Sequence, residues 1–162
     1  MTDNPPLGLR RYGVVPPAAL AGLTGLDVMQ RMLAGDLPGP PIAKTIGFDL
    51  LEVDEGRAVF TCTPTLDHYN PVGSVNGGQA GILLDSCMGC AVHTRLKQGQ
   101  GYTTLEYSVH LVRGMSSKTG PVRAEGQVLH FGRRAATAEG RIVDGAGTLL
   151  AHGTTTCLIF DA

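Results

Sequence analysis

No run of roughly 18 consecutive apolar residues, the length that reads as a membrane-spanning helix, occurs in the 162-residue chain. A transmembrane span is therefore disfavoured. An excess of one charge is missing too: 13 Lys and Arg against 14 Asp and Glu leave a formal net charge of −1, so no long-range positive field draws the chain to nucleic acid or an anionic membrane. Neither is expected as a partner. The first residues place Asp3 and several prolines where a signal peptide has a basic head and an unbroken apolar run. The expected location is the cytoplasm. Only four cysteines are present, Cys62, Cys87, Cys90 and Cys157, too few for a disulfide scaffold at this size. Cys87 and Cys90 form a C-x-x-C inside the apolar run ILLDSCMGCAV, with no second Cys/His pair to complete a tetrahedral site, and they read as packing residues. His93, His110, His130 and His152 lack ligand spacing, so no metal is expected, and no cofactor. No G-x-S-x-G elbow, internal repeat or low-complexity tract occurs, and no serine-hydrolase mechanism finds support.

What the chain does contain fits one domain with enough apolar content, 43% of residues, to form a core. Residues 1–23 are rich in Pro and Gly and read as an irregular arm; residues 24–162 form the domain. Leu26 to Leu33 has helical spacing with Thr24 as N-cap, ending before Gly35 and the Pro38–Pro41 cluster, which reads as a turn. From Gly47, FDLLEVDEG and RAVFTCTPTL read as a hairpin around Asp54-Glu55-Gly56. Asn76 to about Lys97 reads as one long helix with Asn76 as N-cap, and its four glycines at 77, 78, 81 and 89 predict close approach by surrounding backbone. Four β-like stretches follow, Tyr102–Val112, Pro121–His130, Ala135–Val143 and Thr148–Phe160, joined by short turns. The sum is an α+β fold in which one long helix packs against a curved, mainly antiparallel sheet of about six strands.

Chemistry concentrates between Asp67 and Asp85. Gly77 and Gly78 open the long helix, where backbone N–H groups lack intrahelical partners and face any nearby negative oxygen. They are either an oxyanion hole or a plain N-terminal cap. Asp85 lies among apolar neighbours, where an ionised carboxylate is costly unless paired, hydrated or used; it is a functional carboxylate or a local cap. Eight residues separate Gly77 from Asp85, which at a rise of about 1.5 Å per residue is about 12 Å along one helix. One reacting carbonyl cannot touch both. If both serve one site they come from different subunits related by a two-fold axis.

The arrangement H-x-N-x-x-G-x-x-x-G-G with an acidic residue eight positions past the first paired glycine, here His68, Asn70, Gly73, Gly77, Gly78 and Asp85, resembles the PaaI-like branch of the hotdog thioesterases, relatives of the 4-hydroxybenzoyl-CoA thioesterases. The similarity runs on through Thr103-Thr104-Leu105-Glu106, the strand ending at Arg113, and Gly132-Arg133-Arg134. It implies a hotdog fold, an acyl-CoA substrate and a homodimer or homotetramer. By position, the Gly77 amide would bind the thioester carbonyl and Asn70 the carbonyl or attacking water. Asp85 of the other subunit would be base or nucleophile, with Thr104 orienting it. His68, Asn76, Gly78, Arg113 and Arg134 are the expected substrate-binding residues, the arginines by way of CoA phosphates. Where the family usually has His, this chain has Asn76, which keeps a cap but carries no proton near neutral pH.

Two other functions compete. A non-catalytic acyl-CoA binder would use the same pocket without turnover. A hotdog hydratase or dehydratase is faintly echoed in Asp67–Val72, but the Asp67-to-Asn70 spacing is one residue too long and Gly73 stands where that group has its histidine base.

Overall fold

The computed structural model describes residues 11–161, so the first ten residues of the expected arm, and Ala162, lie outside the described residues. Within the remainder of that arm, Gly13 N–H donates to the Gly39 carbonyl at 3.0 Å, and Pro17–Leu20 forms one helical turn, α1. Helix α2 (Gly25–Ala34) starts as expected at Thr24, whose Oγ1 accepts the Asp27 amide while Asp27 returns a carboxylate to the Thr24 amide at 2.8 Å. This reciprocal cap satisfies two orphan donors. Gly35, at φ 86°, ends the helix in the left-handed conformation that glycine adopts without strain. The proline cluster that reads as a turn also opens a third helix, α3 (Pro41–Ile46), because a proline at the first helical position forgoes an N–H that no helix could use.

Six strands follow one antiparallel ladder: β1 (Phe48–Asp54), β2 (Arg57–Cys62), β3 (Gln100–Leu111), β4 (Val122–Phe131), β5 (Ala135–Val143) and β6 (Leu149–Asp161). They lie in the order β1-β2-β4-β5-β6-β3. The long helix α4 (Gly77–His93) packs on the face where β4, β5 and β6 turn inward Val122, Ala124, Ala136, Ala138, Ile142, Ala151 and Cys157, and it inserts Leu83, Leu84, Cys87 and Met88. This is the hotdog arrangement. Helix α4 is shorter than its sequence reads: Thr94 turns its hydroxyl to the Ala91 carbonyl at 2.6 Å and accepts the Gly56 amide at 2.7 Å, and the chain leaves in a tighter turn before Lys97. No helix of the described residues is long and apolar enough to cross a membrane.

How the helix sits on the sheet corrects the expectation about its glycines. Gly126, Gly140 and Gly153 stand side by side across β4, β5 and β6. A Cβ on Gly126 would strike the Cys87 backbone, and one on Gly140 would come within 2.8 Å of Met88 Cγ. The close backbone approach is therefore made by a row of strand glycines. The helix glycines meet side chains of β3 instead: a Cβ on Gly89 would lie 2.8 Å from the Tyr102 hydroxyl, and one on Gly81 3.5 Å from that of Tyr107.

Strand β3 lies at the sheet's end, bonded only to β6, and its outer edge presents unpaired backbone groups with Leu105, Tyr107 and Leu111 exposed. A bulge between Thr104 and Glu106 shifts its register on β6. Bulges of this kind re-aim neighbouring side chains.

Candidate active site

The loop before α4 is held at both ends by its own side chains. Thr65 N–H donates to His68 Nδ1 at 2.9 Å, so the ring's proton sits on Nε2, which donates to the Ile46 carbonyl at 2.9 Å. His68 thus staples the 3₁₀ turn Leu66–His68 to the end of α3. Its carbonyl accepts the Asn76 amide at 2.8 Å, and Asn70 N–H closes a turn onto Ser74 O at 2.7 Å. Tyr69 anchors the loop from the far side, its hydroxyl accepting the Ser117 amide at 2.8 Å.

Asn76 then does two things with one amide. Its Oδ1 accepts the Gly78 N–H at 2.7 Å, capping α4, and its Nδ2 donates to Asn70 Oδ1 at 2.6 Å. With its oxygen occupied, Asn70 is left with an amide NH₂ to offer. Gly78 spends its amide on the cap, whereas the Gly77 amide has no hydrogen-bond partner among the described residues. A Cβ on Gly77 would lie 2.7 Å from Leu111 Cδ1, the tip of an exposed side chain that would have to swing aside. Asn70, Asn76, Gly77 and Arg113 line one cleft of about 300 Å³ at the start of α4.

Asp85 and Thr104 form a second group. Thr104 Oγ1 donates to Asp85 Oδ1 at 3.0 Å, joining β3 to the middle of α4. Burial foremost, and the Asp85 charge among the smaller causes, keep Cys90, Tyr102 and Cys157 in their neutral forms; the Cys90 thiol is pushed up to about 12. The carboxylate itself is half-buried. It does not line the Asn70 and Gly77 cleft.

Of the substrate-binding residues read from sequence, Asn76 and Arg113 lie at the cleft. His68 has both ring nitrogens engaged elsewhere, and Gly78 has its amide committed to the cap. Arg134 is exposed in the β4–β5 turn beside Arg133, its carbonyl accepting the Ile159 amide, and it joins neither group. Sequence reasoning read Cys90 as a packing residue, gave His93 no ligand role and left Ser86 unread; with Ile82 and Asp85 these form a half-exposed stripe along α4 beyond its first turn. Their i, i+3 and i+4 spacing was the available signal. Among the described residues no three His, Cys, Asp or Glu side chains gather as metal ligands.

Comparison with known proteins agrees with this architecture. A family model for the thioesterase superfamily matches residues 72–151. The acyl-coenzyme A thioesterase PaaI of Escherichia coli (strain K12) is 31% identical over 103 residues, 63% of this chain and 70% of that protein. The chain belongs to the thioesterase superfamily, in its PaaI-like, hotdog-fold branch. The crystal structure of a phenylacetic acid degradation-related protein from Ralstonia eutropha JMP134 superposes with a TM-score of 0.73 at 30% identity, covering 80% of this chain and 98% of that one. The E. coli PaaI protein from the phenylacetic acid degradation operon superposes with a TM-score of 0.68 at 25% identity, covering 75% of this chain and 85% of that one.

Proposed function

We propose that this protein hydrolyses an acyl- or aryl-CoA thioester to the free acid and CoA, in a homo-oligomer whose sites are each shared by two subunits. The observation that carries this reading is the division of the chemistry on α4: hydrogen-bond donors gather at its start, and a hydroxyl-held carboxylate sits eight residues further on. Neither group makes a hydrolase alone.

In the composite site, Gly77 N–H and the Asn70 amide NH₂ of one subunit point at the thioester carbonyl oxygen. Donors fixed in place before the reaction stabilise the oxyanion that develops there. Asp85 of the second subunit, oriented by Thr104, faces the carbonyl carbon. As a general base it takes a proton from water while the water oxygen bonds to carbon; the tetrahedral intermediate then collapses, the C–S bond breaks, and the proton passes to the departing thiolate. As a nucleophile its oxygen would instead bond to the carbonyl carbon, the C–S bond would break to release the CoA thiolate, and water would open the resulting mixed anhydride to the free acid and the restored carboxylate. The exposed outer edge of β3, with Leu105, Tyr107 and Leu111 beside it, supports pairing with a second copy, since an uncovered edge is a template for another strand. Arg113, at the mouth of the cleft, suits a CoA phosphate. The acyl-CoA activity named for the E. coli relative supports the substrate class.

Asp85→Asn is the direct test, since it keeps size and a hydrogen-bond acceptor for Thr104 while removing the charge. Thiol release from a panel of acyl-CoAs is expected to fall at least ~10²-fold with the fold and assembly intact. Near-normal turnover in the folded variant would remove the carboxylate from the mechanism.

A further inference from the structure

Strand β3 faces α4 along the whole helix, and it does so with two different sets of side chains. Before the bulge the even-numbered residues face the helix: Tyr102 lies against Gly89, and Thr104 donates to Asp85. After the bulge the odd-numbered residues do: Tyr107 and Val109 lie against Gly81, and Leu111 against Gly77. Their even-numbered neighbours have moved to the outer face, where Glu106 bonds Thr156, Ser108 bonds Thr154 and His110 stacks on His152. Side chains alternate strictly along a regular strand, so the two sets cannot share a face without an extra residue between them. That residue is Leu105. Thr104 pairs with Cys157, and Glu106 pairs with the adjacent residue of β6, Thr156, which leaves exposed Leu105 without a partner on that strand.

The place of this extra residue decides what Asp85 meets. Were the ladder regular from Leu111 back to Gln100, Thr103 and Leu105 would face α4 and the Thr104 hydroxyl would point away from Asp85. A slip of the bulge past Thr104 toward Gln100 has the same result.

Two threonines of β6 hold the bulge where it is. Thr155, only 2% exposed, donates its hydroxyl to the Glu106 carbonyl at 2.8 Å, and Thr156 donates to the Glu106 carboxylate at 2.8 Å. Burial makes the first the stronger constraint: a shielded hydroxyl that loses its acceptor has no water to turn to, whereas the exposed carboxylate does. We propose that Thr155 is a positioning residue for hydrolysis: by holding the Glu106 carbonyl, its hydroxyl fixes the place where β3 changes face and so keeps Thr104 on Asp85. What Asp85 does with that hydrogen bond rests on the thioesterase reading; where Thr104 points does not.

Kinetics and crystallography of the full chain test the two parts separately. Thr155→Val keeps the shape and removes the hydroxyl, and Thr155→Ser keeps the hydroxyl. With hexanoyl-CoA and phenylacetyl-CoA as substrates, Thr155→Val is expected to lower kcat about 10-fold with KM within about twofold, since a misaimed reacting group loses rate more than binding. Thr155→Ser should stay within about twofold of the unaltered protein. Thr104→Val should lose activity to a similar degree, and adding Thr155→Val to it should cost less than about twofold more, because residues that act through one contact are not additive. An unchanged kcat in Thr155→Val, full multiplication of the two losses, or an equal loss in Thr155→Ser would make Thr155 a packing residue and overturn the proposal. In a crystal structure of Thr155→Val, or of Thr155→Ala if the valine variant does not fold, Thr104 Oγ1 should lie beyond about 3.5 Å from Asp85 Oδ1. Thr104 still seated on Asp85 overturns the proposal whatever the rates. A displaced Thr104, with no turnover of either thioester by the unaltered protein, would defeat the proposed activity and leave the aiming of Thr104 by Thr155 standing.

Discussion

Asn76 Nδ2 donates to Asn70 Oδ1 at 2.6 Å while Asn76 Oδ1 caps α4 through the Gly78 amide. One side chain thus fixes both the helix start and the direction in which Asn70 offers its NH₂. The two roles separate in variants. Asn76→Ala is expected to lose about 1 kcal/mol of stability with its cap and to lower turnover through a free Asn70. Asn76→Ser should keep the cap and the stability, since serine caps as well as asparagine, yet still lower turnover by roughly tenfold, the scale of a lost charge-stabilising hydrogen bond. Thermal unfolding beside steady-state kinetics distinguishes them; a fully active Asn76→Ser protein would show that Asn70 does not need its partner.

A site shared by two subunits, as proposed, makes its own demand on assembly. Size-exclusion chromatography with light scattering should find at least a dimer. Mixing Asn70→Ala with Asp85→Asn under subunit exchange should then restore about a quarter of wild-type activity: about half the dimers are mixed, and each of those has one site carrying neither substitution. An active monomer, or no recovery despite proven exchange, would place both residues in one chain's site.

On the outer face of the sheet, Glu52 bonds Arg123 at 2.6 Å and Arg57 at 2.7 Å, and these hydrogen bonds hold its carboxyl down at about 2 against an ordinary 4.5. The unfolded chain then binds a proton at Glu52 more readily than the folded one. Its contribution is complete above about pH 4.5 and is lost as the pH falls toward 2. Because the group is partly exposed, water screens the pairs, and the effect should stay near or below about 1 kcal/mol. Glu52→Gln should flatten the fall in urea-derived stability across that window; an unchanged slope would assign the acid sensitivity elsewhere.

The glycine row predicts an order of damage. In Gly126→Ala the new methyl meets the backbone of α4, which moves only if the helix moves, whereas in Gly140→Ala it meets Met88 and Leu84 side chains, which have rotamers to spare. Overpacking of the first kind is expected to cost roughly 1–3 kcal/mol, and the second less. Urea unfolding of both variants checks the order, and equal losses would refute it.

Much of the fold was legible because turn chemistry brackets it: Asp54-Glu55-Gly56 and Asp144–Gly147 locate strands on either side, and Thr24 and Asn76 announce their helices. Helix α3 was not, because a proline pair signals a break as readily as a first helical turn. The candidate site divided similarly. Asn70, Gly77 and Asp85 stood out by spacing, but the engagement of His68 depends on the Ile46 carbonyl, which only the folded chain brings to its ring. A cavity of about 360 Å³ beside the C-terminal half of α4 was invisible for a related reason: its walls are drawn from α2, α3, β1, β2 and α4, and no local pattern records a space between distant segments.

The row formed by Gly126, Gly140 and Gly153 sets the seat of α4 largely through backbone, with little side-chain bulk beneath it. The height of the helix above the sheet is then a property of the main chain. Repacking Leu83, Leu84 or Met88 draws on the stability of the domain, while the span from Gly77 to Asp85, fixed by the helix itself, keeps its length. A chain carrying this row can change core side chains at a cost in stability and still hold Gly77 and Asp85 at the same spacing along α4.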